Sequence, residues 1–199
     1  MNVLLADPPW PYRVWSGKDS RTADAHYPTM TMQEMIDMRP MIDELAGDNA
    51  ALFMWSTAPT MAEYAFPLMA AWGFQYKTFG LVWVKVNKKP MPKVRSEDYP
   101  AILTRDGFHK PFIGLGHYTR SNVEVALLGI RGRAPAAKGL AETQLIISSI
   151  REHSRKPDEQ YGKIERLYPE ADRKIELFAR QQRAGWESWG NETGKFSDD

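Results

Sequence analysis

A run of four apolar residues, Val3, Leu4, Leu5 and Ala6, stops abruptly at Asp7-Pro8-Pro9-Trp10. The run is long enough for one buried strand. Two consecutive prolines fix two φ angles and remove two backbone donors, so the strand cannot carry its ladder through them. Asp7 precedes a proline and is pushed towards an extended conformation. The sequence therefore predicts a buried strand ending in a stiff loop. That loop carries a carboxylate, carbonyls with no neighbouring N–H to occupy them, and a large aromatic face. In open α/β sheets, ligands bind at this end of the strands.

The chain that follows alternates in the same way. Thr31-Met32-Gln33-Glu34 is a capping-box pattern that opens a helix, and Pro40 should interrupt it. Gly47-Asp48-Asn49 is a turn, and residues 50–55 form a second buried strand ending at Ser56-Thr57. Pro59 suits the first turn of another helix, which Gly73 stops. Residues 74–86 read as one or two strands, residues 125–130 as another, and residues 144–148 as another. Pro157 suits position N1 of a helix that carries Tyr161, Ile164 and Leu167 at roughly helical spacing. Residues 174–180 read as a last long strand, with Ile175, Leu177 and Ala179 on one face and Glu176, Phe178 and Arg180 on the other. The pattern is α/β, with a mostly parallel sheet flanked by helices. A length of 199 residues suits one domain over the whole chain.

Charge is unevenly spread. Residues 77–138 hold 12 Lys and Arg against 4 Asp and Glu, whereas the segments on either side are net acidic. Within this stretch, residues 88–115 combine Lys88, Lys89, Lys93, Arg95, Arg105 and Lys110 with four prolines, which predicts an extended basic loop. Such a block is a footprint for phosphates. There is no cysteine, and the four histidines show no ligand spacing, so no structural metal is expected. No basic leader and no membrane-length apolar run precede or interrupt the pattern, which fits a cytoplasmic protein.

The loop at Asp7 suggests its ligand. A carboxylate and a neighbouring carbonyl are two acceptors, and an NH2 group has two donors. A flat ring bearing an exocyclic amine is adenine or cytosine, and Trp10 offers a face for it. Asp7-Pro8-Pro9-Trp10 after an apolar strand resembles the catalytic motif of the adenine-N6 methyltransferases. That family includes the catalytic subunit of the eukaryotic mRNA adenosine methyltransferase and its bacterial and phage relatives. Two later stretches resemble the same family in the same order: Ser154-Arg155-Lys156-Pro157-Asp158-Glu159, and Lys174-Ile175-Glu176-Leu177-Phe178 with Asn191. The likeness runs from residue 3 to residue 192.

The resemblance implies a Rossmann-like fold with permuted motif order and S-adenosylmethionine as cofactor. It implies catalytic roles for Asp7, Pro8, Pro9 and Trp10, and places Asp7, Pro9, Lys156, Phe178, Arg180, Asn191 and Glu192 at the cofactor. Lys156 would meet the cofactor's carboxylate at a helix start. Trp10, Tyr27, Lys85, Asn87 and His117 would stand around the acceptor base. The chain departs from the family at Glu192, where Gln is common, and at Gln182-Arg183, where the family has His-Asn. It also lacks the glycine-rich loop of many methyltransferases.

The expected function is methyl transfer to adenine N6 in nucleic acid. DNA is favoured over RNA by analogy with the compact bacterial and phage members. The chain begins at its catalytic strand, so a second subunit or a copy of itself is expected to complete the nucleic-acid groove. A non-catalytic nucleic-acid-binding subunit of the same fold is the alternative, and calorimetry with the cofactor separates the two. A small-molecule amine methyltransferase leaves the basic middle segment unexplained.

Overall fold

The computed structural model describes residues 1–11, 29–95, 100–114, 116, 118–133, 142–152 and 155–196. Seven strands form one sheet: β1 (Asn2–Ala6), β2 (Ala50–Ser56), β3 (Gln75–Val86), β6 (Val123–Arg131), β7 (Leu145–Ser149), β8 (Arg173–Leu177) and β9 (Glu187–Trp189). Their order is β7-β3-β6-β2-β1-β8-β9. β1 lies between β2 and β8 and runs parallel to both. β6 pairs antiparallel with β2 and β3, while β3 with β7 and β8 with β9 are parallel. Among the described residues, six strands of this sheet thus share one direction and β6 opposes them.

Helices cover both faces because the central strands are apolar on both sides. α1 (Met32–Asp37), α2 (Arg39–Ala46) and α4 (Phe66–Ala71) bury Met35, Ile42, Leu68 and Met69 against Leu4, Ala6, Leu52 and Met54. α5 (Glu159–Leu167) buries Tyr161 and Ile164 against the alternate residues Val3, Leu5, Ala51, Phe53 and Trp55. The period of two in β1 and β2 therefore sorts side chains into two separate cores.

The expected local signals operate. Thr31 and Glu34 form a reciprocal capping box at α1. The helix breaks at Met38, and α2 resumes with Pro40 near its start. After β2 the chain makes the short turn α3 (Ala58–Thr60), a π-helical turn (Met61–Ala65) and α4. Gly73 then turns the chain out with φ 78°.

Three details differ from the sequence reading. Among the described residues of the basic stretch, β4 (Ile102–Thr104) and β5 (Gly107–His109) form an antiparallel hairpin rather than extended loop. His109 is fully buried at its base, with Nδ1 2.7 Å from the Asn87 carbonyl. Asp158 takes the N-cap position of α5 without a side-chain capping bond, so Pro157 lies just outside the helix rather than at N1.

The third difference is at the last long strand. β8 ends at Leu177 instead of running to Arg180, because Phe178 adopts φ 59°, which breaks the strand's alternation. Gly190 makes room for this turn. A Cβ there would stand 2.5 Å from the Ala179 carbonyl oxygen and 2.6 Å from its nitrogen. Both are backbone atoms and cannot swing aside. Gly190→Ala is expected to cost about 2 kcal/mol, read as a lowered denaturation midpoint at unchanged slope. Full stability in that variant would mean the turn at Phe178 relaxes freely.

Candidate active site

The carboxyl ends of β1, β2 and β8 converge on one cleft. It is lined by Leu5, Asp7, Trp55, Lys156, Glu176 and Phe178, with Arg155, Gln160, Tyr161, Arg180, Gln181 and Phe196 around them.

Asp7 follows directly on β1, and its Oδ2 accepts a hydrogen bond from Lys156 Nζ at 2.7 Å. The same ammonium stands 3.3 Å from Glu124 Oε2, and Glu124 Oε1 accepts from Lys85. The four groups form a row of alternating sign: Asp7, Lys156, Glu124, Lys85. Burial would raise the Glu124 carboxyl, but the charges of Lys156 and Lys85 override it and hold it at about 2. Glu124 reaches this edge because β6 runs against its neighbours, so the start of β6 lies beside their ends.

The proline loop is more occupied than its sequence implies. The Trp10 N–H donates to the Pro8 carbonyl at 2.8 Å, so that carbonyl is not free. The Met30 N–H donates to the Pro9 carbonyl at 3.0 Å. A carbonyl has two lone pairs, so each retains some acceptor capacity. Trp10 is 7% exposed. Its indole N–H donates to the Trp55 carbonyl at 3.1 Å, and its ring stacks on Tyr64 with centroids 6.4 Å apart. Most of its surface is thus packed into the wall behind the loop rather than offered to a ligand.

Of the remaining anticipated site residues, Lys156, Phe178 and Arg180 line the cleft. Glu192 lies beside it, 3.6 Å from Arg180 Nε and 2.7 Å from Lys195 Nζ. Asn191 is exposed and, like Pro9, lies outside the lining. Lys85 is engaged by Glu124 and lies 4.8 Å over the Trp83 ring. Asn87 sits just past β3, where its backbone anchors the hairpin through Lys110 and His109. Tyr27 and His117 lie outside the described residues.

Two charged lining groups escaped the sequence reading as site residues. Arg155 is 7% exposed and its Nη2 donates to Gln181 Oε1 at 3.2 Å. Glu176 accepts from the Tyr161 hydroxyl at 3.1 and 3.0 Å. Burial raises the Glu176 carboxyl to about 7, with the Asp7 and Asp158 charges adding to it and Tyr161 and Arg183 opposing. An acidic residue that alternates with Ile175 and Leu177 on a central strand was the available signal. Its folded pKa lies above the unfolded value, so folding takes up a proton between about pH 4.5 and 7. Stability is expected to fall across that window as pH rises. Melting temperatures measured from pH 4.5 to 8 should show the slope, and Glu176→Gln should flatten it. An unchanged slope in the variant would assign the titration to another group.

No helix among the described residues is long and apolar enough to cross a membrane. The MT-A70 family profile matches residues 1–192. The Type II methyltransferase M.MunI of Mycoplasma sp is 31% identical, over 96% of this chain and 76% of its own length. The N(6)-adenosine-methyltransferase MT-A70-like protein of Arabidopsis thaliana is 32% identical over 96% of this chain, and the catalytic subunit METTL3 of Homo sapiens is 30% identical over 96%. The chain spans only 23% and 28% of those two relatives. With the family profile covering nearly its whole length, the chain belongs to the MT-A70 family.

Proposed function

We propose that the chain transfers a methyl group from S-adenosylmethionine to the N6 amine of adenine in nucleic acid, with DNA the favoured acceptor. The observation that carries this reading is the Asp7 carboxylate at the end of the central strand, held at 2.7 Å by Lys156 and lining the cleft. The cofactor's chemistry fits the lining. An amino-acid end needs a carboxylate and a cation side by side, which Asp7 and Lys156 supply. A sulfonium is favoured by an aromatic face, which Phe178 supplies. When bound, S-adenosylmethionine supplies the electrophilic methyl group.

The residues of the chain then perform alignment and charge stabilisation. Lys156 takes up Asp7 Oδ2 and leaves Oδ1 for one N–H of the target amine. The second lone pair of the Pro8 carbonyl accepts the other. Positive charge develops on that nitrogen as it gains the methyl group, and the Asp7 carboxylate stabilises it. The two prolines make the acceptor pair rigid, so little ordering remains for the transition state. Trp10 and Tyr64 support the loop from behind. A target inside a duplex must leave its stack to reach the loop. Exposed Lys88, Lys89, Lys93 and Arg105 on the hairpin side suit the phosphates of the acceptor.

The preference for DNA rests on proportion. The chain matches most of the bacterial relative and only about a quarter of the plant and human ones. A second subunit, or a second copy of this chain, would complete the acceptor groove. The test is methyl transfer from labelled S-adenosylmethionine to single- and double-stranded DNA and RNA pools, followed by nucleoside mass spectrometry. N6-methyldeoxyadenosine is the expected product. N6-methyladenosine from RNA alone would move the acceptor class. Cofactor binding without any methylated adenine would favour the non-catalytic subunit.

A further inference from the structure

The chain's last described residues return to the cleft. Lys195 N–H donates to the Glu192 carbonyl at 2.9 Å, closing a turn, and the Phe196 N–H then donates to the Arg180 carbonyl at 3.1 Å. Glu192 adds its contact with Arg180 Nε. The segment is thus fastened to the chain just after β8 at two points, and Phe196 becomes part of the cleft lining. The Phe196 ring meets a partner there, for the Arg155 guanidinium carbon lies 4.9 Å from its centroid.

Arg155 is fixed independently of Phe196. Its Nη1 is 3.3 Å from Glu152, and its Nη2 is 3.2 Å from Gln181 and 3.8 Å from Asp158. A buried, pinned guanidinium therefore backs the phenyl ring. The same cleft also has a charged part, where Lys156 pairs with Asp7. A ligand with a zwitterionic end and a flat heteroaromatic end would divide between these two parts. A purine stacks well on phenyl and guanidinium planes and needs no charge from them.

We infer that Phe196, backed by Arg155, is the stacking surface for the purine of the cofactor and fixes its nucleoside end. This rests on the proposed S-adenosylmethionine-dependent reading. It assigns to this chain a nucleobase contact that its Asp-Pro-Pro-Trp and Lys-Pro-Asp-Glu motifs do not contain.

The test is equilibrium binding of the full chain to S-adenosylhomocysteine and to 5′-methylthioadenosine, which keeps the nucleoside and lacks the amino-acid end. Phe196→Ala is expected to weaken both ligands about tenfold and by the same factor. Phe196→Trp should restore both, and melting curves of the variants verify that they fold. Weakening of S-adenosylhomocysteine alone would place Phe196 at the amino-acid end and overturn the assignment. Both affinities within twofold of the parent chain would overturn it as well. A parent chain that binds neither ligand would instead remove the cofactor reading, and this inference with it.

Discussion

Asp7→Ala is expected to lower methyl transfer by roughly a thousandfold while weakening S-adenosylmethionine binding about tenfold at most. The loss falls on the chemical step because the Asp7 carboxylate opposes charge that appears only as the amine nitrogen is alkylated. The fold should tolerate the change. Lys156 loses its 2.7 Å partner but keeps Glu124 at 3.3 Å, so no cation is left buried alone. Asp7→Asn should fall between the two, since it keeps an acceptor oxygen and loses the charge. The measurement is single-turnover transfer alongside calorimetric cofactor affinity. Turnover within tenfold of the parent in Asp7→Ala would end the mechanism, whereas equal losses in turnover and affinity would make Asp7 a binding residue.

Trp55→Ala should destabilise the chain by about 3–5 kcal/mol, among the largest effects of any single truncation. Trp55 is fully buried on β2, in the core that α5 covers. Its indole N–H donates to Gln160 Oε1 at 2.7 Å, tying β2 to α5, and its carbonyl receives Trp10. Truncation leaves a cavity and an unsatisfied amide oxygen together. Trp55→Phe separates the two: it keeps most of the volume and loses the bond, so about 1–2 kcal/mol is expected. Denaturant titration reads both. A loss below about 1 kcal/mol in Trp55→Ala would mean that the site collapses around the gap.

What the sequence could disclose follows from how local each cause is. The apolar runs at β1 and β2, the Thr31–Glu34 box and the stop at Gly73 are set by neighbours within a few positions, and each appears where it was read. The mostly parallel sheet follows from the same alternation. The reversal of β6 depends on a pairing between distant segments, and no short pattern encodes it. Nothing local therefore marks Glu124 as the centre of a charged row. The early end of β8 depends on the approach of Gly190 to Ala179, 11 positions further back in the chain. The occupied Pro8 carbonyl is a different case. Its donor is only two residues away, but a bond from Trp10 back to Pro8 requires a tight turn that composition does not specify. Arg155 and Glu176 stood in stretches already marked. Their importance comes from burial, which a single sequence reveals poorly for charged side chains.

The alternating row from Asp7 to Lys85 has a consequence for how ionic strength acts on the two substrates. Two positive and two negative groups cancel, so an incoming zwitterion meets a row with no net charge. Few counterions are displaced when it binds. A polyanion gripping the lysines near the hairpin displaces several, and its hold weakens steeply as salt rises. Added salt would thus strip the acceptor long before the donor, leaving an enzyme that idles in high salt with its methyl donor still aboard.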